Sequence, residues 1–172
     1  MDLAKELSKK SDIKIKNVYR FVASILLCEA AGLIGYLFTS PAIPTWYIDL
    51  VKPSFNPPMW IFGPVWVFIY FLMGISLFFV WKRGIKGSNV FKAAFLFAIQ
   101  LILNVLWSYI FFGLHNPRAA LYEIVVLWGA IAITIVEFFK IRKVAAYLLM
   151  PYILWVTFAL ILNYSIWQLN YR

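Results

Sequence analysis

Two sets of polar and aromatic side chains recur at helical spacing inside long apolar stretches of this sequence. In the first set, Gln100, Asn104 and Ser108 lie at i, i+4 and i+8, so they form one polar stripe on an otherwise apolar helix. Trp107 lies beside this stripe. Polar side chains in hydrocarbon turn toward protein or toward a cavity. We therefore expect Gln100 to make hydrogen bonds between helices and Asn104 to face a cavity that can hold a ligand.

The second set consists of Trp155, Ala159 and Asn163, again at i, i+4 and i+8. An aromatic side chain one turn before a small residue leaves room for a flat molecule to stack on the ring. A close contact between two helices at Ala159 would produce the same spacing. The pattern therefore indicates either a ligand-binding wall or a helix packing face.

Residue counts exclude several common chemistries. The sequence has one cysteine, Cys28, and one histidine, His115, so a disulfide within the chain, a zinc cluster and haem held by two histidines are excluded. We expect no metal site, no obligatory cofactor and no acid/base pair for conventional catalysis. Glu123 and Glu137 lie near the two ends of one apolar stretch, where we expect water to solvate them. Glu29 is the only acidic residue in the middle of a stretch.

The elements that must position these residues are membrane spans. Of the 172 residues, 64% are hydrophobic, 20% aromatic and only 13% charged, far from the composition of soluble proteins. A spanning helix needs about 20 mostly apolar residues, and the sequence contains five such stretches, at about residues 19–38, 59–81, 90–114, 119–139 and 145–169. We predict an all-α integral membrane protein, with a five-transmembrane-helix domain over 18–172. Residues 1–17 form a basic N-terminal tail, for which a frayed conformation is favoured over a short surface helix.

The connection between the first two spans is rich in proline and aromatic residues. Residues 45–66 contain four prolines and four tryptophan or tyrosine residues, namely Pro53, Pro57, Pro58, Pro64, Trp46, Tyr47, Trp60 and Trp66. Each proline fixes its own φ and moves the preceding residue out of the α region, so this segment is stiff. Pro58 fits the first position of a helix that begins near Met59. We interpret residues 45–58 as a lid that caps a ligand pocket; the alternative is a belt of interfacial anchors.

The basic residues are distributed unevenly among the connections. Thirteen of the 16 precede the first span or lie in the second and fourth connections, whereas Lys52, Arg118 and Arg172 fall on the opposite side. The positive-inside rule then predicts a multi-pass protein of the cell membrane, with a cytoplasmic N-terminus and with the C-terminus and the Trp46 loop outside. The net charge of +9 is explained by anionic membrane lipid and requires no nucleic acid partner.

Three segments carry a resemblance to a known family. They are WYIDLVKPSFNPPMW with the following FGPVW, QLILNVLWSYIFFG, and PYILWVTFALILN, and over about residues 46–170 the sequence resembles the TspO/MBR family of tryptophan-rich sensory proteins, translocator proteins and peripheral benzodiazepine receptors. The resemblance implies a five-helix bundle, often a homodimer, with a pocket open toward the lid. It implies tetrapyrroles such as protoporphyrin IX and haem, isoquinoline carboxamides and benzodiazepines as ligands. The implied pocket residues are Trp46, Tyr47, Trp66, Asn104, Trp107, Trp155, Phe158 and Ala159.

This resemblance favours a membrane receptor or sensor that binds porphyrins and has a role in tetrapyrrole homeostasis or stress signalling. Translocation of the bound porphyrin across the membrane is a further activity that it would allow. Trp66, Trp107 and Trp155 would supply aromatic faces for the macrocycle. Asn104 would supply a buried donor, and Lys52, the only basic residue of the lid, would meet the propionates at the rim. The first alternative is an enzyme for light-dependent porphyrin degradation, in which Trp107 or Trp155 would take part.

The second alternative is a transporter of sterols or other small lipophilic molecules. Animal members of the family carry an arginine after an Asn-Tyr and Trp run, whereas Gln168 follows Trp167 here, so sterol transport is disfavoured. Transport of lipophilic cations predicts an acidic residue that faces the lumen, for which Glu29 is the candidate. For a homodimer, the sequence offers Ala94 and Ala98 as a flat face on the third span.

Overall fold

The computed structural model describes residues 2–84 and 88–171, and within these ranges the chain forms six α-helices. They are α1 (Asp2–Ala42), α2 (Met59–Trp81), α3 (Ser88–Ser108), α4 (Pro117–Ile141), α5 (Lys143–Leu148) and α6 (Met150–Asn170). A single turn of π-helix, Tyr109–Gly113, extends α3. Five segments of this part of the chain are long and apolar enough to cross a bilayer: Ile13–Ala42, Met59–Trp81, Asn89–Gly113, Pro117–Ile141 and Lys143–Asn170. The chain is therefore an all-α integral membrane protein with five transmembrane helices, which confirms the prediction.

Successive spans run in opposite directions, so the bundle has two distinct ends. At the lid end lie residues 45–58 and the turn between α3 and α4. At the basic end α1 begins, α2 and α4 finish, and most lysine and arginine side chains gather. The outside of the bundle is apolar, as expected for contact with lipid, because large side chains such as Leu26, Phe95 and Ile102 are exposed.

The first helix is longer than its apolar stretch. It begins at Asp2, and its 41 residues correspond to about 61 Å, against about 30 Å for the hydrocarbon core of a bilayer. Residues 2–17, for which a frayed conformation was favoured, are thus helical and continue the first span. The physical reason is that a helix already nucleated by the span extends at one hydrogen bond per added residue.

Close helix approaches at glycines hold α1 against its neighbours. A Cβ atom at Gly74 would lie 2.7 Å from the Cα atom of Ile25, so the backbones of α2 and α1 touch at this point. Gly35 of α1 faces α3, where an added Cβ would lie 3.1 Å from the Oγ atom of Ser108. Gly74 lies in the half of α2 that is nearer the basic end of the bundle. Because α1 and α2 touch there, their halves nearer the lid are free to line a cavity.

Proline and asparagine determine the breaks between helices. Pro151 has no N–H to donate to the carbonyl of Tyr147, so the fifth span is interrupted at Leu149 and resumes as α6. In the turn between α3 and α4, the N–H of Ala119 donates to Oδ1 of Asn116 (3.0 Å), which caps α4. This tight turn makes α3 and α4 antiparallel neighbours, as the sequence predicted.

Candidate ligand-binding site

A cavity of about 540 Å³ lies in the lid half of the bundle, between α1, α2, α3 and α6. Glu29 and Gly32 of α1 and Tyr70 of α2 border its deep end, and Tyr47 borders it beneath the lid. Its lining extends from Glu29 to Ile43, one residue beyond the end of α1, or about 21 Å at 1.5 Å per residue. The volume is within the range of small-molecule sites, roughly 300–1,000 Å³.

Three tryptophans from three helices form the main aromatic wall of this cavity. They are Trp66 of α2, Trp107 of α3 and Trp155 of α6. Nε1–H of Trp107 donates to Oδ1 of Asn163 (3.1 Å), and its ring stacks on Phe111 with centroids 5.1 Å apart and planes at 24°. These three tryptophans were expected to supply aromatic faces, and the structure brings them together at one cavity.

Neighbouring rings fix the orientation of the other two indoles. The ring of Trp66 lies 5.6 Å from that of Tyr70 and meets Tyr152 edge-on at 6.4 Å. Phe62 meets Trp155 edge-on at 5.9 Å. Because each indole is packed on several sides, the wall is formed before any ligand arrives.

Asn104 lies behind this wall rather than on it. The hydroxyl of Tyr70 donates to Oδ1 of Asn104, and Nδ2 of Asn104 donates to the hydroxyl of Tyr152 at 2.9 Å. Asn104 thereby joins α2, α3 and α6, whereas the buried amide of Gln100 has no hydrogen-bond partner in the described ranges. Asn104 therefore makes the interhelical hydrogen bonds that were expected of Gln100, and neither residue borders the cavity. Ser108 is the member of the stripe that does. Helical spacing alone could not assign different roles to Gln100, Asn104 and Ser108, because all three lie on the same face of α3.

The lid is fastened to α6 by a reciprocal pair of hydrogen bonds. The N–H of Val51 donates to Oδ1 of Asn170 at 2.8 Å, and Nδ2 of Asn170 donates to the carbonyl of Val51 at 2.9 Å. Within the lid, the hydroxyl of Tyr47 donates to Oδ1 of Asn56 at 3.1 Å. Burial raises the pKa of Tyr47 to about 12, so this hydroxyl keeps its proton and remains a donor at neutral pH.

Lys52 stabilises the lid from within. Its Nζ atom donates to the carbonyls of Ile48 (3.0 Å) and Leu50 (2.9 Å) and lies 4.8 Å from the centroid of the Tyr47 ring. The side chain does not border the cavity. The cation that was expected at the rim is therefore engaged by the lid's own carbonyl groups.

Trp46 and Phe158 pack beside the cavity. Trp46 stacks on His115 with ring centroids 4.5 Å apart and planes at 13°, which ties the lid to the turn between α3 and α4. The ring of Phe158 lies 5.4 Å from that of Trp155 and 6.4 Å from that of Phe55. Of the residues expected at the pocket, five line the cavity, namely Tyr47, Trp66, Trp107, Trp155 and Ala159. Trp46, Lys52, Asn104 and Phe158 support it from outside its lining.

Several lining residues were missed by sequence reasoning. The π turn brings two consecutive residues, Phe111 and Phe112, to the cavity, and Phe62 and Tyr70 add two further rings. The five-residue turn that produces this arrangement has no recognised signal in the sequence. Phenylalanine is also so frequent in these spans that its presence alone marks no site.

The cavity lining contains an acidic side chain. Among the described residues, Glu29 is the only charged one that borders the cavity.

Glu123 and Glu137 of α4 were expected to be solvated, but each is only 9% exposed. Neighbouring spans cover Glu123, whose carboxyl oxygens have no hydrogen-bond partner in residues 2–84 and 88–171. Glu137 is covered by two lysines, with ion pairs to Lys92 at 3.0 Å and Lys140 at 2.9 Å.

The cavity also opens sideways between α1 and α2. Leu33 and Tyr36 of α1 and Trp60 and Val67 of α2 line the cavity and are at the same time exposed on the outside of the bundle. Lipid covers this part of the surface in a membrane. An apolar molecule can therefore pass from the bilayer into the cavity without crossing water.

Comparison with known proteins identifies what the chain is similar to. Residues 24–168, which include every residue that lines the cavity, match the TspO/MBR family. The chain is 46% identical over 154 residues to the tryptophan-rich protein TspO of Archaeoglobus fulgidus, covering 90% of this chain and 99% of that protein. It is 40% identical over 129 residues to the translocator protein of Homo sapiens (73% and 75% covered). It is 34% identical over 152 residues to the tryptophan-rich sensory protein of Cereibacter sphaeroides (88% and 92% covered).

Proposed function

Because this chain belongs to the TspO/MBR family, we propose that it is a membrane receptor that binds porphyrins in the cavity beneath the lid. Protoporphyrin IX or a haem-type tetrapyrrole is the ligand, and it is not an obligatory cofactor. The protein senses the level of the tetrapyrrole, or hands it on, in tetrapyrrole homeostasis or stress signalling. Isoquinoline carboxamides and benzodiazepines, which are also apolar and aromatic, compete for the same cavity.

The convergence of Trp66, Trp107 and Trp155 on one cavity is the observation that supports this proposal. A porphyrin is a wide apolar disc, and each aromatic contact adds about 0.5–1.5 kcal/mol beyond the area that it buries. Rings from three helices, packed before binding, offer this disc several faces at little cost in side-chain entropy. The sideways opening gives a ligand dissolved in the bilayer a route to those faces.

Tryptophan fluorescence of the protein in lipid nanodiscs tests the proposal, with a panel of tetrapyrroles, sterols and isoquinolines as quenchers. Tetrapyrroles such as protoporphyrin IX should quench saturably and rank above the sterols and the isoquinolines. Ala159→Phe, which places a ring in the cavity, should weaken its affinity by about tenfold or more. Ala30→Phe is the control, because Ala30 of α1 is exposed and does not border the cavity. A sterol that ranks first, or equal quenching in both variants, would contradict the proposal.

Lys52→Ala should weaken the binding of protoporphyrin IX and of its uncharged dimethyl ester by the same small factor, about twofold to fivefold. The reason is that Lys52 is bonded to the lid carbonyls of Ile48 and Leu50, so its loss loosens the lid for every ligand. Fluorescence titration of both ligands measures the two factors. A loss confined to the dicarboxylate would instead support direct contact between Lys52 and the propionates.

Light-dependent porphyrin degradation is a second candidate function, favoured by the position of Trp155 in the cavity wall. In such a reaction the excited porphyrin supplies the photochemistry, and the protein supplies orientation. We expect Trp155→Phe to bind protoporphyrin IX within about threefold of wild type, because a ring is retained, but to lose most of the light-dependent decrease of the Soret band. Equal decreases in the two proteins, at equal occupancy, would exclude a specific role for this indole.

In the membrane, the proposed receptor has its N-terminus in the cytoplasm and its lid outside. Support for a cytoplasmic N-terminus and an external lid comes from the basic residues at one end of the bundle. Ser54→Cys in the lid should react with a membrane-impermeant maleimide in intact cells, and the native Cys28 is buried and does not interfere.

A homodimer would use the α3 face at Ala94 and Ala98. Native mass spectrometry of the protein released from nanodiscs would detect the dimer.

A further inference from the structure

We propose that Glu29 determines which ligand charge the cavity accepts, and that its preferred ligands are flat apolar molecules with an amine or quaternary ammonium group placed at the deep end. This inference rests on the proposed function in one respect, since both require that the cavity binds flat apolar ligands. It goes further by assigning a specificity-determining residue and a chemical class of ligand.

The position of Glu29 carries the inference. It lies near the middle of the first span, Ile13–Ala42, and borders the deep end of the cavity. In the part of the chain that the structure describes, no group forms a hydrogen bond or an ion pair with its carboxyl group. An ionisable side chain at this depth is costly unless it has a partner, and it commonly marks a ligand or ion pathway.

Among the residues that the structure describes, the rest of the lining has no positive group that could neutralise Glu29. Tyrosine, tryptophan, serine, threonine and asparagine are the polar residues that accompany it. Lys52, the basic residue of the lid, does not border the cavity and donates to the lid carbonyl groups of Ile48 and Leu50. A ligand that brings its own cation would therefore complete the site with a charge-assisted contact.

The same carboxyl group acts against anions. In a low-dielectric cavity, two like charges repel strongly, so the propionates of a porphyrin are disfavoured near Glu29. A dicarboxylic porphyrin must then bind with its propionates toward the lid or the sideways opening. A tetrapyrrole with cationic substituents can direct them to the deep end.

Three porphyrins with the same macrocycle test this inference: protoporphyrin IX (anionic), its dimethyl ester (neutral) and its bis-amide with terminal trimethylammonium groups (cationic). In nanodiscs of uncharged lipid, wild type should bind the cationic derivative about tenfold more tightly than the neutral ester. Glu29→Gln should abolish this preference and strengthen binding of protoporphyrin IX relative to the ester. Glu123→Gln is the matched control, because Glu123 is also a carboxylic acid within a span but does not border the cavity. This variant should keep the preference for the cationic derivative.

Two results would overturn the inference. One is equal affinity of wild type for the cationic and neutral derivatives, a measurement that needs no variant and remains decisive should Glu29→Gln fail to fold. The other is a preference for the cation that survives in Glu29→Gln. Either result with tight binding of the ester leaves the proposed function intact, whereas no binding of any of the three porphyrins contradicts the proposed function itself.

Discussion

Asn104→Leu is expected to lower the free energy of unfolding by about 2–4 kcal/mol, one of the two largest effects of a single substitution that we predict here. The substitution removes the only described hydrogen-bond partner of the buried hydroxyls of Tyr70 and Tyr152. A buried polar group left without a partner costs about 1–3 kcal/mol, and two such groups are created. Because Tyr70 also borders the cavity, porphyrin affinity should fall with stability. Unfolding titrations in mixed detergent and SDS measure the change.

Gln100→Met is the matched control for that substitution. Gln100 lies one helical turn from Asn104, is equally buried, and its amide has no partner in the described ranges. Removing an unpartnered buried amide at nearly constant volume should leave stability unchanged or raise it. Should Gln100→Met cost as much as Asn104→Leu, the assignment of the interhelical role to Asn104 would be wrong.

Gly74→Ala is expected to destabilise the protein by about 1–3 kcal/mol, although alanine is the better helix former. The added Cβ would lie 2.7 Å from the Cα atom of Ile25, and a backbone atom cannot move aside by changing a rotamer. The crossing of α1 and α2 must therefore widen, which also deforms the deep end of the cavity. Thermal unfolding in detergent and porphyrin titration measure the two consequences.

The control for Gly74→Ala is Gly129→Ala on α4, where an added Cβ would have no neighbouring atom within 4 Å. Here the helix propensity of alanine acts alone, so stability should stay constant or rise by up to about 1 kcal/mol. Changes of the same sign in both variants would mean that the close approach of α1 and α2 does not contribute to stability.

The membrane architecture could be predicted from the sequence because it follows from long-range composition. Five apolar stretches of sufficient length gave the five spans. Pro58 located the start of α2 at Met59, and the Asn116-Pro117 pair located the turn between α3 and α4. Composition could not predict two local departures from regular α-helix, namely the π turn at Tyr109–Gly113 and the interruption of the fifth span at Leu149. Each depends on a few backbone hydrogen bonds rather than on residue type over many positions.

The candidate site was predictable where helical spacing was informative. Trp66, Trp107 and Trp155 converge, as their positions in the spans and the family resemblance indicated. Spacing defines a helix face but not the neighbours of that face, which is why Asn104 was expected at the cavity and Gln100 at a contact between helices. The sequence also does not show which groups a single cation in the lid will contact. Lys52 was therefore expected to meet a ligand, but its hydrogen bonds are made within the lid.

A crystal structure of the protein with protoporphyrin IX, grown in lipidic mesophase, would show directly whether the cavity holds the porphyrin. We expect the macrocycle to lie in the lid half of the bundle, against the indole rings of Trp66, Trp107 and Trp155, with Tyr47 above it and its propionates directed away from Glu29. A porphyrin bound on the lipid-facing surface of the helices, with the cavity left to lipid or detergent, would contradict this expectation.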